Sequence, residues 1–140
     1  MLKISDAVDV ESIVKEAKKK IYGHFYGRAM FPKIDLPAAR KAVNEYSKVL
    51  KEYPGQIADL KLYYVEVGTE LTNDFGDVNE RFYSSMVSMF NSFCEQIRNH
   101  PVYYKQFQER IHALQSACQH TGWGYGYAID ELACDLEDSI

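Results

Sequence analysis

Apolar residues recur every three to four positions along most of this chain, which is the spacing that places them on one face of a helix. Six segments follow this period, and none shows the sustained alternation of apolar and polar residues that is typical of a strand. Prolines mark the starts of helical periods at Pro32, Pro37, Pro54 and Pro101, and glycines cluster between the segments. The pattern therefore predicts an all-α fold of five to six helices.

Capping and breaking residues limit the first three helices. The first is predicted over about residues 9–25. The second opens at Asp35, a predicted N-cap, with Pro37 in the first turn, where its missing N–H leaves no bond unmade. The third begins after residues 54–55 and ends near Phe75, and its apolar residues fall within about 100° on a helical wheel.

The last three helices have similar signals. Asp77 and Glu80 have the spacing of a capping box for the fourth helix, and residues 99–101 end it. A fifth helix is predicted over residues 103–118 and a sixth over residues 125–140. Short connections force antiparallel neighbours, so successive helices should form αα-hairpins that close into a helical bundle or stack as a short αα-superhelix.

Length and composition are those of one globular domain spanning residues 1–140. The 140 residues are 46% hydrophobic and 26% charged, which disfavours disorder, and no stretch approaches the roughly 20 apolar residues that cross a bilayer. Three cysteines, Cys94, Cys118 and Cys134, are an odd number and lack the spacing of a disulfide framework or a zinc site. Reduced thiols and a cytoplasmic location without membrane contact are therefore expected.

Charge is unevenly distributed along the chain. Residues 1–53 hold 11 Lys/Arg against 7 Asp/Glu, whereas residues 54–140 hold 5 against 13. The overall net charge of −4 disfavours nucleic-acid binding, because neutralisation of phosphates supplies most of that affinity. The basic first third could still hold an anionic partner.

Several segments carry a family resemblance. They are Leu62–Asp77 (LYYVEVGTELTNDFGD), residues 82–90 (FYSSMVSMF), residues 122–125 (GWGY) and the basic segment 18–22 (KKKIY). Over about residues 14–133, the chain resembles an uncharacterised bacterial family of helical proteins that is known only as a domain of unknown function. The resemblance implies a helical fold, and an N-terminal helical stretch in other members that this chain lacks. It implies no activity, cofactor or catalytic residue.

The strongest candidate for chemistry is a row of polar residues on the third helix, called the acidic stripe here. Asp59, Tyr63, Glu66 and Glu70 fall within about 60° on the helical wheel and flank the apolar face. Carboxylates four residues apart can share a divalent metal, but such sites normally draw further ligands from a second helix. No metal and no cofactor are predicted.

Three interpretations of the acidic stripe stay open. Exposed charge beside an apolar face is the normal solvated surface of a helix. Alternatively, Lys18, Lys19 and Lys20 complement Glu66 and Glu70 within the fold, as an interhelical charge match without a ligand. In the third interpretation, the stripe forms a ligand site together with the lysine segment or an aromatic residue.

A glycine-rich segment, Gly122–Gly126, precedes the last helix. Its Gly-x-Gly-x-Gly spacing resembles a phosphate cradle, but a dinucleotide fingerprint requires a preceding strand in a βαβ unit, and none is predicted. A tight turn flanked by aromatic residues is the expected structure. The alternative is that Trp123 and Tyr125 line a groove for a peptide or a small aromatic ligand.

Because no enzyme motif is recognised, the sequence favours a non-catalytic protein–protein interaction or scaffolding module, without catalytic residues. Protein partners are predicted, and a homo-oligomer stays open. The alternative is a small-molecule- or metal-binding domain or enzyme that uses the acidic stripe; a third is accessory nucleic-acid binding through the basic first third. The ligand-binding candidates are Lys18, Lys19, Lys20, Tyr63, Glu66, Glu70, Trp123 and Tyr125.

Overall fold

The computed structural model describes residues 7–27, 34–75, 80–119 and 125–140, and these residues contain no strand. Their helices are α1 (Ala7–Tyr26), α2 (Leu36–Val49), α3 (Pro54–Phe75), α4 (Glu80–Asn99), α5 (Tyr104–Cys118) and α6 (Tyr125–Ser139), with a 3₁₀ turn at Pro101–Tyr103 before α5. The predicted all-α class is therefore confirmed. The helix limits agree with the predicted ones to within a few residues.

One side-chain cap and two prolines account for the starts of α2, α3 and the 3₁₀ turn. Asp35 is the N-cap of α2, as predicted, because its side chain accepts the Ala38 N–H at 3.1 Å. Pro54 is the first residue of α3, and Pro101 opens the 3₁₀ turn that leads into α5. The predicted capping residue Asp77 lies outside the described residues.

Consecutive helices pair as antiparallel hairpins. In the α3–α4 pair, the Tyr64 hydroxyl lies 2.7 Å from Ser85 Oγ, and Gln96 Nε2 donates to the Pro54 carbonyl at 3.4 Å. Later residues of α4 thus meet earlier residues of α3, which is the antiparallel order. The pairs α1–α2 and α5–α6 are packed together in the same way, so the predicted αα-hairpins are present.

The three hairpins stack on one another in the same direction. Between α1 and α3, Lys18 Nζ lies 2.9 Å from Asp59 Oδ2, and the Phe25 and Tyr64 rings are 5.1 Å apart. These contacts advance together along both helices, so α1 and α3 run parallel. Contacts between α3 and α5, and between α4 and α6, also advance together. The layered order is that of the stacked-hairpin alternative, three layers deep.

Helix α3 lies in the middle layer and contacts α1, α2, α4 and α5. Its burial is consequently broader than the single apolar stripe predicted from the sequence. Ala58, Leu62 and Val65 lie outside that stripe, yet they are fully buried. A hairpin packs on each side of α3, whereas the helical-wheel prediction expected burial of one face only. We define the odd-helix side by α1, α3 and α5, and the even-helix side by α2, α4 and α6.

Close approach of α5 and α6 explains one glycine of the segment that resembles a phosphate cradle. Gly126 lies within α6, and a Cβ added there would stand 2.5 Å from the Cys118 carbonyl oxygen. Backbone atoms cannot move aside as a flexible side chain can. The glycine at this position is therefore needed for helix packing. Residues 122–124, including Trp123, lie outside the described residues.

We expect Gly126→Ala to lower the free energy of unfolding by about 1–3 kcal/mol, because the new methyl group overlaps the backbone of α5. Gly23→Ala is the matched control, since a Cβ at Gly23 would meet no atom within 4 Å in the described part of the chain. The control should raise stability by up to about 1 kcal/mol through helix propensity. Urea unfolding measures both values, and a stabilising Gly126→Ala substitution would contradict this packing.

Candidate functional site

The acidic stripe lies on the odd-helix side, between α1 and α5, and it is held by two internal cations. From α5, Arg110 Nη1 donates to Asp59 Oδ1 at 2.6 Å, while Nη2 and Nε donate to Glu66 Oε1 and Oε2 at 2.6 and 3.1 Å. From α1, Lys18 Nζ lies 2.9 Å from Asp59 Oδ2. The resulting network joins all three hairpins through α3.

Burial strengthens these ion pairs. The Asp59 side chain is only 14% exposed and that of Arg110 is 32% exposed. Burial alone would lower the pKa of the Arg110 guanidinium, but the hydrogen bonds and charges of Glu66 and Asp59 outweigh it and raise that pKa. Two carboxylates of the stripe are therefore already neutralised within the fold.

The described residues contain no group of three or more His, Cys, Asp or Glu side chains that could hold a metal ion. Residues 109 and 112 supply a Glu-x-x-His spacing on α5, but both side chains are exposed. The Arg110 fork occupies both Glu66 oxygens and one Asp59 oxygen. The stripe thus offers a metal few free ligands.

The predicted charge match between the lysine segment and the stripe exists, but with different partners. Lys18 pairs with Asp59 and lies 5.4 Å from the Tyr63 ring centroid. Lys20 Nζ lies 3.8 Å from Glu16 on its own helix, and Lys19 is exposed. The pairing of these lysines with Glu66 and Glu70 is therefore wrong, because Arg110 takes Glu66.

Arg110 is the residue that sequence reasoning missed. It flanks the apolar stripe of α5, where an arginine normally extends into solvent. Its partners are 44 and 51 positions earlier in the chain. Only the knowledge that α5 packs parallel to α3 would have indicated that Arg110 bridges α5 to Asp59 and Glu66, an interaction called the Arg110 bridge here.

Glu70 is exposed at one end of the stripe and lines a small depression of about 290 Å³ between α3 and α5. The other lining residues are Glu66, Thr69, Asn73, Ala113, Leu114 and Ala117. Tyr63 is half-buried, and burial together with the nearby acidic groups raises the pKa of its hydroxyl. The structure brings Lys18, Tyr63 and Glu66 to one side of α3 and leaves Lys19 and Lys20 apart.

A larger groove lies on the even-helix side, between the parallel helices α4 and α6. It encloses about 720 Å³ and is called the α4–α6 groove here. Its lining residues are Glu80, Tyr83, Ser84, Val87, Ser88, Asn91, Tyr125, Ala128, Glu131, Leu132 and Asp135. They include three carboxylates, with no Lys or Arg in this described lining.

Tyr125 forms part of the floor of this groove. Its hydroxyl lies 2.7 Å from Thr69 Oγ1, and its ring is 5.2 Å from that of Tyr83. Burial raises the pKa of the Tyr125 hydroxyl, so the residue is a neutral packing and hydrogen-bonding group. The prediction that Tyr125 lines a groove agrees with this position, although its identity as a ligand contact stays a prediction.

The carboxylates of the groove are uncompensated. Glu80, Glu131 and Asp135 are exposed, and none forms an ion pair within the described part of the chain. Helix α6 holds five Asp/Glu residues and no Lys or Arg. Tyr127 lies four residues before Glu131, which places both on one face of α6, and it is 75% exposed. The sequence showed this charge excess, but not the groove that α6 makes with α4.

Loss of the Arg110 bridge should destabilise the fold. We expect Arg110→Met to lower the free energy of unfolding by about 1–3 kcal/mol, because Asp59 and Glu66 lose charged hydrogen bonds at a partly exposed site. Adding Asp59→Asn and Glu66→Gln to that variant should restore part of the loss. Urea unfolding measures the cycle, with Arg98→Met as control, and unchanged stability in Arg110→Met would contradict the bridge.

The three cysteines form no disulfide within the described residues and differ in burial, which predicts their reactivity. Burial raises the pKa of Cys94 to about 12 and that of Cys118 to about 11, so neither is a thiolate at neutral pH. Cys134 is exposed. With Ellman's reagent at pH 8, we expect one thiol to react quickly and two to react only as the protein unfolds. Fast labelling of Cys118 would contradict its burial.

Comparison with known proteins identifies one matching protein family. No curated protein and no solved structure matches the chain. No helix within the described ranges combines the length and the apolar character that crossing a membrane requires. The model of a family of unknown function, DUF6155, matches residues 7–135 and so covers all three hairpins. This match confirms the resemblance to an uncharacterised family, and the chain belongs to DUF6155.

Proposed function

We propose that this protein is a non-catalytic protein–protein interaction module and that its α4–α6 groove binds a basic segment of a partner protein. The observation that supports this most is the groove itself, which holds about 720 Å³ and three exposed carboxylates without a basic residue in its described lining. Opposite charge on a partner would complete the electrostatics of this surface.

The contrast with the acidic stripe supports the choice of groove. Asp59 and Glu66 are saturated by Arg110 and Lys18, so an external cation would have to displace an internal one. Glu131 and Asp135 have no such partner within the described residues. A bound Lys or Arg would therefore gain an ion pair there without breaking one.

The floor of the groove supports a protein segment as the occupant. Val87 and Leu132 are half-buried beside the aromatic rings of Tyr83 and Tyr125. A surface with an apolar floor and a charged rim fits a peptide that carries both apolar and basic side chains. Tyr127 on the exposed face of α6 would add an aromatic contact of the kind that is enriched in interfaces.

The absence of a disulfide among the described cysteines also bears on the compartment in which the partner would be met. Cys94, Cys118 and Cys134 form no disulfide. Thiols persist in reducing compartments, so a cytoplasmic location goes with the proposal.

The test uses a labelled amphipathic peptide rich in Lys and Leu, and the same peptide with Glu in place of Lys. We expect fluorescence anisotropy at low ionic strength to show binding of the basic peptide only, because unlike charges attract. Glu131→Lys with Asp135→Lys should weaken that binding by at least about tenfold, the effect of losing roughly 1.4 kcal/mol.

The matched control is Glu109→Lys with Asp138→Lys, which changes net charge equally at exposed positions outside the groove. It should retain most of the binding. Equal loss in both double variants, or no binding of the basic peptide to the wild-type protein, would reject the groove as a protein-binding site. Binding of the acidic peptide instead would point to the basic residues of α1 and α2.

A further inference from the structure

A second concave site lies on the other flank of α4, is lined by residues of α2 and α4, and has the opposite charge. This α2–α4 pocket encloses about 280 Å³ and is lined by Leu36, Pro37, Arg40, Arg81, Ser84, Ser85 and Ser88. Two arginines from two helices thus line one depression together with three serines. The described lining includes no carboxylate.

Neither arginine of the pocket has a charged partner among the described residues. Within the described part of the chain, Arg40 and Arg81 form no salt bridge and no hydrogen bond, and both are exposed. In contrast, Arg110 is fully engaged and Arg98 donates to Ser139 at 3.3 Å. An anion bound between the two arginines would gain from both positive charges.

The helical spacing brings the polar groups of α4 to the same side. Arg81, Ser85 and Ser88 are four and three residues apart, so they follow one face of the helix. Ser85 Oγ lies 2.7 Å from the buried Tyr64 hydroxyl, which fixes that side chain. Burial raises the pKa of the Tyr64 hydroxyl, whereas the hydrogen bond with Ser85 and the positive charge of Arg40 lower it.

We infer that the α2–α4 pocket binds the phosphoryl group of a phosphate monoester. Each guanidinium presents a planar fork of N–H donors that matches phosphate oxygens, and the serine hydroxyls add further donors. A carboxylate has only two oxygens, whereas a phosphoryl group has three for the two arginines and the serines. The volume of about 280 Å³ suits a head group, with the remainder of the ligand lying outside.

The position of the pocket identifies the source of the phosphoryl group, and this step rests on the proposed function. Ser84 and Ser88 line both the α2–α4 pocket and the α4–α6 groove, so the two sites lie on either flank of α4. Crossing a helix of about 10 Å in diameter takes roughly three extended residues. We therefore expect the partner segment to contain a phosphorylated Ser or Thr that lies about three residues from a Lys or Arg.

The first arm of the test uses inorganic phosphate alone, followed by backbone amide NMR shifts of the full chain. We expect phosphate to shift the amides of Ser84, Ser85 and Ser88. Arg40→Gln with Arg81→Gln should weaken its binding by at least about tenfold, because charged hydrogen bonds are lost. Arg98→Gln, on the same helix but outside the pocket, should bind phosphate as the wild-type protein does.

Arg81→Lys provides a second variant that keeps the charge but loses the planar fork, and it should bind phosphate with intermediate affinity. Melting temperatures check that each variant folds. Wild-type affinity in the double glutamine variant, equal loss in Arg98→Gln, or amide shifts confined to other residues would each overturn the phosphate site.

The second arm compares a basic peptide that contains phosphoserine with the same peptide without the phosphate. The wild-type protein should bind the phosphorylated peptide at least about tenfold more tightly than the unphosphorylated one. The double glutamine variant should bind the two peptides with equal affinity. Glu131→Lys with Asp135→Lys should leave the affinity for inorganic phosphate unchanged and lower the affinity for the peptide. If the protein binds inorganic phosphate but neither peptide, the partner segment is rejected and the α2–α4 pocket remains a site for free phosphate monoesters. The peptide-binding groove and the phosphate site can therefore fail separately.

Discussion

The Arg110 guanidinium is the contact on which the arrangement of the three hairpins depends most. Its fork joins α5 to Asp59 and Glu66 of α3, and Lys18 of α1 reaches the remaining Asp59 oxygen. Apolar packing between stacked helices tolerates sliding, whereas a bidentate ion pair has one geometry. The network therefore fixes how the outer hairpins sit on the middle one, and it uses the carboxylates that looked most like a site.

The central carboxylates of the odd-helix side are paired with cations, whereas the concave sites of the even-helix side carry charges that form no ion pair within the described residues. On the even-helix side, Arg40 and Arg81 lie on one flank of α4, while Glu131 and Asp135 lie on the other. Ser84 and Ser88 of α4 line both sites and so lie between the two sets, which form no ion pair with each other. A ligand that carries both signs is the simplest molecule that would complement the whole surface.

The helical class and most helix limits could be predicted from the sequence, because the 3.6-residue period, Asp35 and the prolines act locally. The stacking order could not, since it depends on contacts between residues about 40 positions apart. For the same reason, the lysine segment was given the wrong partners and Arg110 was missed. Tyr125 was expected to line a groove, but the partner helix α4 and the α2–α4 pocket escaped prediction, because each site needs residues from two helices whose pairing the period does not encode.

Uncompensated charge is a better guide to a site in this fold than charge itself. Asp59 is the least exposed carboxylate among the ion pairs of the described chain, yet its two oxygens are taken by Arg110 and Lys18, so its burial serves stability. Glu131 and Arg81 are exposed and form no ion pair within the described residues. Their charges therefore do not stabilise the fold through an internal ion pair. Proteins retain such charges where binding uses them. The even-helix side is therefore where this protein should meet its ligand.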